Sequence, residues 1–230
     1  MPQLNRPPAR GRQYGFTLVE LAVTLLVVTI LSAMLLVPIT GREGVRARQE
    51  TEHLLDEIRE ALIGYAIIHG HLPCPSRQAN PAASDYGTAD TTCTGSAEGY
   101  LPWRTLGLAP VDAWGVTRQS ASDPWLGYWR YRVVPSLSNA AFPIQATTLP
   151  DLDLNVRDVV TGQVMTDTKM LAAVVFSTGP DRTPNADNAS YEAGDPATYA
   201  MGGPTTSFDD MLVWVSHPQL IARMAAAGQL

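Results

Sequence analysis

An apolar run of 24 residues lies close to the N-terminus of this chain and limits the folds that the chain can adopt. Residues 16–39 read FTLVELAVTLLVVTILSAMLLVPI and contain one charged residue, Glu20. At 1.5 Å per residue the run would form a helix of roughly 36 Å, and a bilayer core is about 30 Å thick. A helix buried in a globular core is usually shorter and has a polar face. The run therefore predicts a membrane-spanning helix at residues 16–39.

The segments that flank the run do not match an ordinary secretory signal peptide. Such a signal has an apolar region of about 7–15 residues, which a cleavage site of small residues follows. Here the run is too long, and Thr40, Gly41 and charged residues come after it. Residues 1–15 precede it as a leader with three arginines and no acidic residue. The natural cleavage point is therefore before the run, between Gly15 and Phe16.

Glu20 is unusual because a carboxylate within a bilayer is costly and normally indicates a function there. Cleavage after Gly15 would leave the new amine of Phe16 about one helical turn from Glu20. Thr17, Glu20 and Thr24 also share one face of the predicted helix. The alternative is a glutamate that reaches the interface or stays protonated. The spacing favours a pairing of the carboxylate with an amine.

Residues 15–21 read GFTLVEL, and they resemble the processing signature of the bacterial type IV pilin and type II secretion pseudopilin superfamily. That signature is a glycine, a phenylalanine, Thr-Leu-x-Glu and a long apolar run. The resemblance implies that a membrane prepilin peptidase cleaves between Gly15 and Phe16, and that the amine of Phe16 is methylated. It also implies that Glu20 neutralises the Phe16 amine of a neighbouring subunit, since a buried charge pair costs less than either charge alone.

A second helical pattern follows the apolar run. Pro38 is expected to kink the helix or to end its first part, because proline removes a main-chain hydrogen bond. Beyond Gly44, apolar residues recur at helical spacing, and charged residues occupy the other faces. The pattern ends near Ile68, before Gly70 and Pro73. The apolar positions are Leu54, Leu55, Ile58, Leu62 and Tyr65.

The rest of the chain predicts a loop-rich domain with several short strands. Residues 71–125 are rich in proline, glycine, serine and threonine, which favours loops. Four later apolar runs predict an antiparallel sheet of about three to five strands, and residues 161–163 predict a hairpin turn. Residues 218–227 predict a short helix. The predicted strands are residues 128–134, 152–160, 170–176 and 211–215.

These patterns together predict an α+β fold with four segments. Residues 1–15 form a cleaved basic leader, 16–39 a transmembrane or filament-core helix, 40–70 its amphipathic continuation, and 71–230 an exported head domain. The pilin resemblance implies the same arrangement. In that arrangement a long N-terminal helix, whose first half lies in the membrane, packs on the antiparallel sheet of the head.

The two cysteines, Cys74 and Cys93, lie 19 residues apart in the loop-rich stretch. In an exported protein such a pair predicts one disulfide. His69 and His71 could in principle complete a zinc site with these cysteines, but the spacing fits no familiar zinc pattern. Arginines flank the apolar run on both sides, so charge alone does not decide its orientation, and the cysteine pair favours export of the head.

The predicted location is therefore the bacterial inner membrane, crossed once, with the leader in the cytoplasm and the head in the periplasm. A later location in a filament or at the cell surface follows from the resemblance.

An acidic segment, residues 177–210, is the candidate metal site. Oxygen ligands in a flexible loop suit Ca²⁺, and the resemblance adds that some pseudopilins hold calcium in the loop before their last strand. The EF-hand pattern is absent, because Ala186 stands where its glycine would be. The candidate ligands are Asp181, Asp187 and Asp195, and the alternative is a solvated acidic loop.

Four tryptophans alternate with four arginines between residues 103 and 132. Most of the tryptophans are expected to anchor the core and the loops. A surface of aromatic and arginine side chains can also bind single-stranded DNA or sugars. However, the chain after the leader has a net charge of about −9, which disfavours nucleic acid as a partner. The residues are Trp103, Trp114, Trp125, Trp129, Arg104, Arg118, Arg130 and Arg132.

The chain contains none of the short motifs that are typical of hydrolases, and its glycines form no phosphate-binding loop. The predicted function is therefore structural and not enzymatic: a pseudopilin or minor pilin, processed after Gly15, of a type II secretion or type IV pilus filament. The resemblance implies a prepilin peptidase, other pilin or pseudopilin subunits, an inner-membrane assembly platform and membrane lipid as partners. No cofactor is expected apart from Ca²⁺. The alternatives are a pilus-tip adhesin or DNA-binding minor pilin, and a membrane-tethered periplasmic enzyme.

Overall fold

A computed structural model of the 230-residue chain describes residues 17–91, 93, 98–190 and 196–230. For residues 33–42 it describes the main chain alone. The chain divides into two compact units, Met1–Gly44 and Val45–Leu230. The predicted leader, residues 1–15, and Phe16 lie outside the described residues.

The longest element is helix α1, Leu18–His69. Thr17 caps its start, because the Thr17 Oγ1 accepts a hydrogen bond from the main-chain nitrogen of Glu20 at 3.3 Å. Gly70, with φ of +78°, follows the last residue in the left-handed conformation that commonly ends a helix. The helix continues through Pro38, so the alternative that this proline ends the first helical part is wrong, and a kink at Pro38 stays a prediction. A proline removes only one main-chain hydrogen bond, and the other turns of a 52-residue helix maintain it.

In the N-terminal unit the side chains of residues 17–32 are all exposed. They include large apolar groups, such as Leu18 at 85% and Val19 at 69% exposure. Thr24 and Thr29 donate their hydroxyl hydrogens to main-chain carbonyls three residues earlier, at 2.9 and 2.8 Å, which satisfies them within the helix.

Within the described part of the chain, no helix combines the length and the apolar character that crossing a membrane requires. The span predicted at residues 16–39 is thus not confirmed. Phe16 and the side chains of residues 33–39 lie outside the described part.

In the C-terminal unit, residues 45–69 of α1 present an apolar face to the core. Its buried side chains follow the helical period of 3.6 residues. Charged residues on the other faces pair along the helix, as in Arg48 with Glu52 at 3.4 Å. Such exposed pairs contribute only about 0.3–0.5 kcal/mol each, so the apolar face is what holds the helix on the domain. The buried residues are Leu55, Ile58, Leu62, Ile63 and Ala66.

Six strands lie in the C-terminal unit. Four of them form an antiparallel sheet in the order β1-β2-β4-β6, and in the centre all seven residues of β4 are buried. Because β4 is completely buried, its sequence LAAVVFS is a nearly continuous apolar run and does not alternate between apolar and polar residues. The strands are β1 (Glu98–Tyr100), β2 (Arg130–Val133), β3 (Leu154–Asp158), β4 (Leu171–Ser177), β5 (Ala197–Met201) and β6 (Met211–Ser216).

All four predicted strands occur, as β2, β3, β4 and β6, but β3 does not join the antiparallel sheet. It pairs in parallel with β5, with Val156 opposite Tyr199, in a separate two-stranded sheet. The prediction of one antiparallel sheet was wrong for β3, because its partner β5 comes some 40 residues later and no local pattern specifies that pairing. The hairpin turn at residues 161–163 is confirmed: Gly162 has φ of +71°, and its nitrogen donates to the Asp158 carbonyl at 2.8 Å.

Two further α-helices complete the described fold, α2 (Trp103–Leu106) and α3 (His217–Ala226). The predicted C-terminal helix is therefore confirmed as α3. Ser216 caps it, since its Oγ accepts a hydrogen bond from the nitrogen of Gln219 at 3.3 Å. Leu220 and Met224 of α3 are buried in the core. The architecture is α+β, with an N-terminal helix packed on an antiparallel sheet.

Candidate functional site

The predicted processing and assembly residues are Gly15, Phe16 and Glu20, of which the structure describes Glu20. Gly15 and Phe16 are outside the described residues, and Glu20 lies exposed in the first helical turn. Thr17 and Glu20 have the Thr-x-x-Glu spacing of a capping box, and the hydrogen bond from the Glu20 nitrogen to the Thr17 Oγ1 fits that motif. This cap is a feature that the Thr-x-x-Glu spacing alone could have predicted.

The surroundings of Glu20 leave its carboxylate available to an outside partner. Within the described part of the chain no ion pair involves Glu20. An acidic side chain in the first turn is also favoured by the positive end of the helix dipole. The Glu20 carboxylate can therefore form an ion pair with an amine of another molecule without breaking an ion pair within the described part of the chain.

Cys74 and Cys93 form a disulfide, with their Cα atoms 5.4 Å apart. It closes a loop beside strand β2, where the Tyr131 hydroxyl donates a hydrogen bond to the Pro73 carbonyl at 2.9 Å. Because both sulfurs are used in this bond, the zinc alternative loses its two thiolate ligands.

Two of the three predicted calcium ligands, Asp181 and Asp187, lie in the described part of the chain, and each has a different partner. Asp181 accepts hydrogen bonds from the Thr183 nitrogen at 2.7 Å and from the Asn185 side chain at 3.2 Å. Asp187 instead pairs with Arg157 at 3.4 Å, and Asp195 lies outside the described residues. In the described ranges, no group of three histidine, cysteine or acidic side chains is placed to hold a metal ion. Calcium binding in this segment stays a prediction.

Asp210 is a buried carboxylate that the sequence analysis did not single out as a site. Its side chain is 1% exposed, and its Oδ2 accepts hydrogen bonds from the Asn185 nitrogen and the Asn188 side chain, both at 2.9 Å. Asn188 also bonds both main-chain groups of Ala200 in β5. These bonds tie the turn at residues 185–190 to β5 and to the start of β6.

Burial raises the pKa of Asp210 to about 7, because water no longer stabilises its charged form. Hydrogen bonds from Asn185 and Asn188 oppose that rise, and the carboxylates of Asp209 and Asp181 add to it. A raised pKa of this kind often indicates a functional position, although structural networks produce it as well.

Asp112 anchors another loop to the end of β4. The Ser177 hydroxyl donates to the Asp112 Oδ2 at 2.6 Å, and the Trp114 nitrogen donates to its Oδ1 at 3.0 Å. Burial raises the pKa of Asp112, whereas these hydrogen bonds lower it. Each oxygen of this carboxylate has a donor, which is typical of a structural role.

Part of the predicted aromatic and arginine surface forms a stack in which two aromatic rings lie between two guanidinium groups. Trp125 stacks on Tyr100 with ring centroids 3.7 Å apart. Arg118 lies 3.9 Å from the Trp125 centroid, and Arg130 lies 4.5 Å from the Tyr100 centroid. At these distances the two guanidinium groups occupy the outer faces of the ring pair, so neither ring offers a face to a nucleotide base.

Arg118 and Trp129 of the same predicted surface also donate hydrogen bonds to main-chain carbonyls within the domain. Arg118 is 5% exposed, and its guanidinium group donates to the carbonyls of Asp123, Ala79 and Ala121 at 2.8, 2.8 and 2.6 Å. Trp129 is 1% exposed and donates to the Ala109 carbonyl at 3.1 Å. The expectation that tryptophans anchor core and loops is confirmed for Trp125 and Trp129, and the DNA-binding or adhesin alternative has no support.

Comparison with known proteins gives one match. Residues 10–36 match the family model of the prokaryotic N-terminal methylation motif, a range that includes Gly15, Phe16 and Glu20. No curated protein and no solved structure matches the chain significantly. The start of α1 at Leu18 falls within the matched range. Residues 10–36 are therefore a prepilin-type cleavage and methylation segment, of the kind that type IV pilins and pseudopilins carry.

Proposed function

We propose that this chain is a pseudopilin or minor pilin, a structural subunit that a prepilin peptidase processes between Gly15 and Phe16. The observation that carries the proposal is the methylation motif at residues 10–36. The α+β head, in which a helix packs on an antiparallel sheet, is consistent with it. The processed chain would join other subunits in a type II secretion or type IV pilus filament.

The exposed apolar part of α1 supports anchoring before assembly. Residues 18–31 include ten large apolar side chains that are 47–85% exposed, and water is a poor solvent for such a surface. Membrane lipid would cover this surface first, and the helices of other subunits would cover it in the filament. An inner-membrane assembly platform would mediate the transfer. The disulfide fits a head domain that lies in the oxidising periplasm. The leader, on the other side of the membrane, would then lie in the cytoplasm.

Assembly would pair Glu20 with the Phe16 amine of a neighbouring subunit. Both charges would lie among apolar helices, where an unpaired charge is strongly unfavourable and a pair much less so. Because Glu20 has no ion pair in the described residues, this pairing would replace none. The proposal assigns the chain no catalytic activity.

The direct test is the mass of the membrane-extracted chain, expressed with a prepilin peptidase. We expect the native chain to lack residues 1–15 and to carry one added methyl group on Phe16. Gly15→Leu should retain the leader, because a bulky side chain would obstruct the scissile bond. Gly11→Leu, which changes the other glycine of the leader, is the matched control and should be processed normally. A native chain that keeps its full leader would refute the proposal.

A further inference from the structure

Two histidines of the chain lie together where helix α1 ends. His69 is the last residue of α1, and His71 follows it across Gly70, whose φ of +78° ends the helix. The two imidazole ring centroids are 6.4 Å apart. The ring of Tyr65 contacts both, at centroid distances of 3.9 Å to His69 and 5.8 Å to His71. His69 is exposed and His71 is half-buried, so a small ligand can reach the pair from solution.

Hydrogen bonds to main-chain carbonyls fix the position of the proton on both rings. The Nδ1 of His69 lies 3.0 Å from the Tyr65 carbonyl oxygen, and the Nδ1 of His71 lies 2.9 Å from the Leu72 carbonyl oxygen. Because a carbonyl oxygen can only accept, each Nδ1 carries the hydrogen, and the Nε2 of the neutral ring keeps a lone pair. Histidines that bind metal ions typically have this arrangement, in which the second ring nitrogen donates to a carbonyl or a carboxylate.

The other two histidines of the chain are placed differently. The Nδ1 of His53 lies 3.5 Å from the Glu57 carboxylate on the exposed side of α1. The Nε2 of His217 lies 2.8 Å from the Thr148 carbonyl oxygen. In the described part of the chain neither ring contacts another histidine, so each offers at most one nitrogen ligand. His53 is therefore a matched control for the pair at the end of α1.

The separation of the rings and the charge of the helix end both suit a divalent cation. A bond from zinc to an imidazole nitrogen is about 2.0–2.1 Å long, so one ion that binds two Nε2 atoms holds the ring centres about 5–6 Å apart. The observed 6.4 Å is slightly larger, and a small rotation of the exposed His69 side chain closes the difference. The last carbonyl groups of a helix also carry partial negative charge, which favours a cation beside His69.

We propose that His69 and His71 bind one divalent transition-metal ion, such as Zn²⁺, through their Nε2 atoms. Imidazole nitrogen suits Zn²⁺, Cu²⁺ and Ni²⁺, whereas Ca²⁺ and Mg²⁺ prefer oxygen ligands. Water fills the other coordination positions, because in the described ranges no third histidine, cysteine or acidic side chain is placed to join the pair. Cys74 and Cys93 take no part, since they form the disulfide. The site belongs to the C-terminal unit and does not depend on the proposed processing.

The test is a calorimetric titration of the oxidised full chain with ZnCl₂, in detergent micelles and after removal of metal ions. We expect the native chain to bind zinc with a dissociation constant below about 100 µM. His69→Gln and His71→Gln should each raise that constant at least about tenfold, because each removes one of two nitrogen ligands. His53→Gln should leave it unchanged. A native chain without such a site, or glutamine variants at residues 69 and 71 that bind zinc as tightly as the native chain, would overturn the proposal.

Two further measurements distinguish this site from the acidic segment at residues 177–210. Excess CaCl₂ should not displace the zinc, because calcium is a hard cation that imidazole binds poorly. Electron paramagnetic resonance of bound Cu²⁺ should show coupling to two nitrogen atoms in the native chain and to one in either variant. Displacement by calcium, or a copper spectrum without the two nitrogen couplings, would assign the ion to carboxylates and overturn the proposal. If His71→Gln fails to fold, His69→Gln still decides the matter, because His69 is exposed.

Discussion

Asp210 carries its carboxylate in surroundings that differ strongly from water. Burial is the main cause of its pKa of about 7, and the value in an unfolded chain is about 3.9. Between these pH values the folded chain binds a proton that the unfolded chain has already released. Folding stability must therefore fall as pH rises through this range, and it falls no further from this group above about pH 7.

This linkage predicts the behaviour of Asp210→Asn in the fragment of residues 45–230. The asparagine cannot ionise, so the variant should lose less stability than the native fragment between pH 5 and pH 8. At about 1.4 kcal/mol per pH unit up to about pH 7, the difference should move in favour of the variant by about 2–3 kcal/mol. Urea unfolding at both pH values measures it. A difference that stays constant with pH would show that Asp210 does not titrate in this range.

At the scale of elements, residues 45–69 of α1 depend on a narrow apolar stripe. Leu62 belongs to the core and is fully buried, whereas Ile68, one and a half turns later, is 75% exposed. The same helix thus contains two large aliphatic residues of opposite environment. Replacing each of them with alanine separates the effect of packing on stability from the effect of helix propensity, because the propensity changes in the same direction at both sites.

We expect Leu62→Ala to lower the free energy of unfolding by about 2–5 kcal/mol, because it removes buried methyl groups and leaves a cavity. Ile68→Ala, the matched control, should change it by less than about 0.5 kcal/mol. Denaturant unfolding followed by circular dichroism gives both values. Similar losses at the two sites would mean that the stripe does not hold the helix on the sheet.

The strands differ in how far local sequence specifies them. β4 (LAAVVFS) and β6 (MLVWVS) are apolar runs that each contain two valines. β2 reads RYRV and alternates between half-buried and buried residues. β2 lies inside its predicted range, and β4 and β6 each extend one residue beyond theirs. β1 has three residues, EGY, and β5 reads ATYAM, so neither carries a strong local signal. Their strand conformation comes from pairing with β2 and β3, which only the tertiary structure supplies.

At the scale of the whole molecule, the two units have contrasting surfaces. The described helix of the N-terminal unit exposes ten large apolar side chains at residues 18–31, whereas the C-terminal unit buries most of its apolar residues in one core. A chain with this contrast needs an apolar environment for one unit and water for the other. Incorporation into a filament beside membrane-anchored subunits would meet both needs, and Glu20 would then be the one acid in the apolar part.

The assembly role of Glu20 predicts a specific pattern among three variants. Glu20→Leu and Glu20→Gln should each lower incorporation into sheared filaments by about tenfold or more, which corresponds to at least about 1.4 kcal/mol, because both leave the neighbouring amine without a charged partner. Glu43→Leu changes another exposed acid of α1 and should assemble normally. Quantitative immunoblotting of the sheared fraction measures incorporation.

Glutamine can still complete a capping box, so Glu20→Gln separates the two roles of this residue. Normal assembly of Glu20→Gln together with failure of Glu20→Leu would indicate that helix capping, and not charge, is what assembly requires.

Four features can be predicted from the amino-acid sequence alone: the long helix, the prepilin-type segment at residues 10–36, three strands of the antiparallel sheet and the cysteine pair. Each of these depends on residues that are close in the chain, on periodicity or, for the cysteines, on a chemistry that admits few partners. Three other features become visible in the folded chain: the parallel pairing of β3 with β5, the enclosed stack of Arg118, Trp125, Tyr100 and Arg130, and the burial of Asp210. These features join residues that are distant in sequence, and the loss of water that sets their chemistry exists only once the chain has folded.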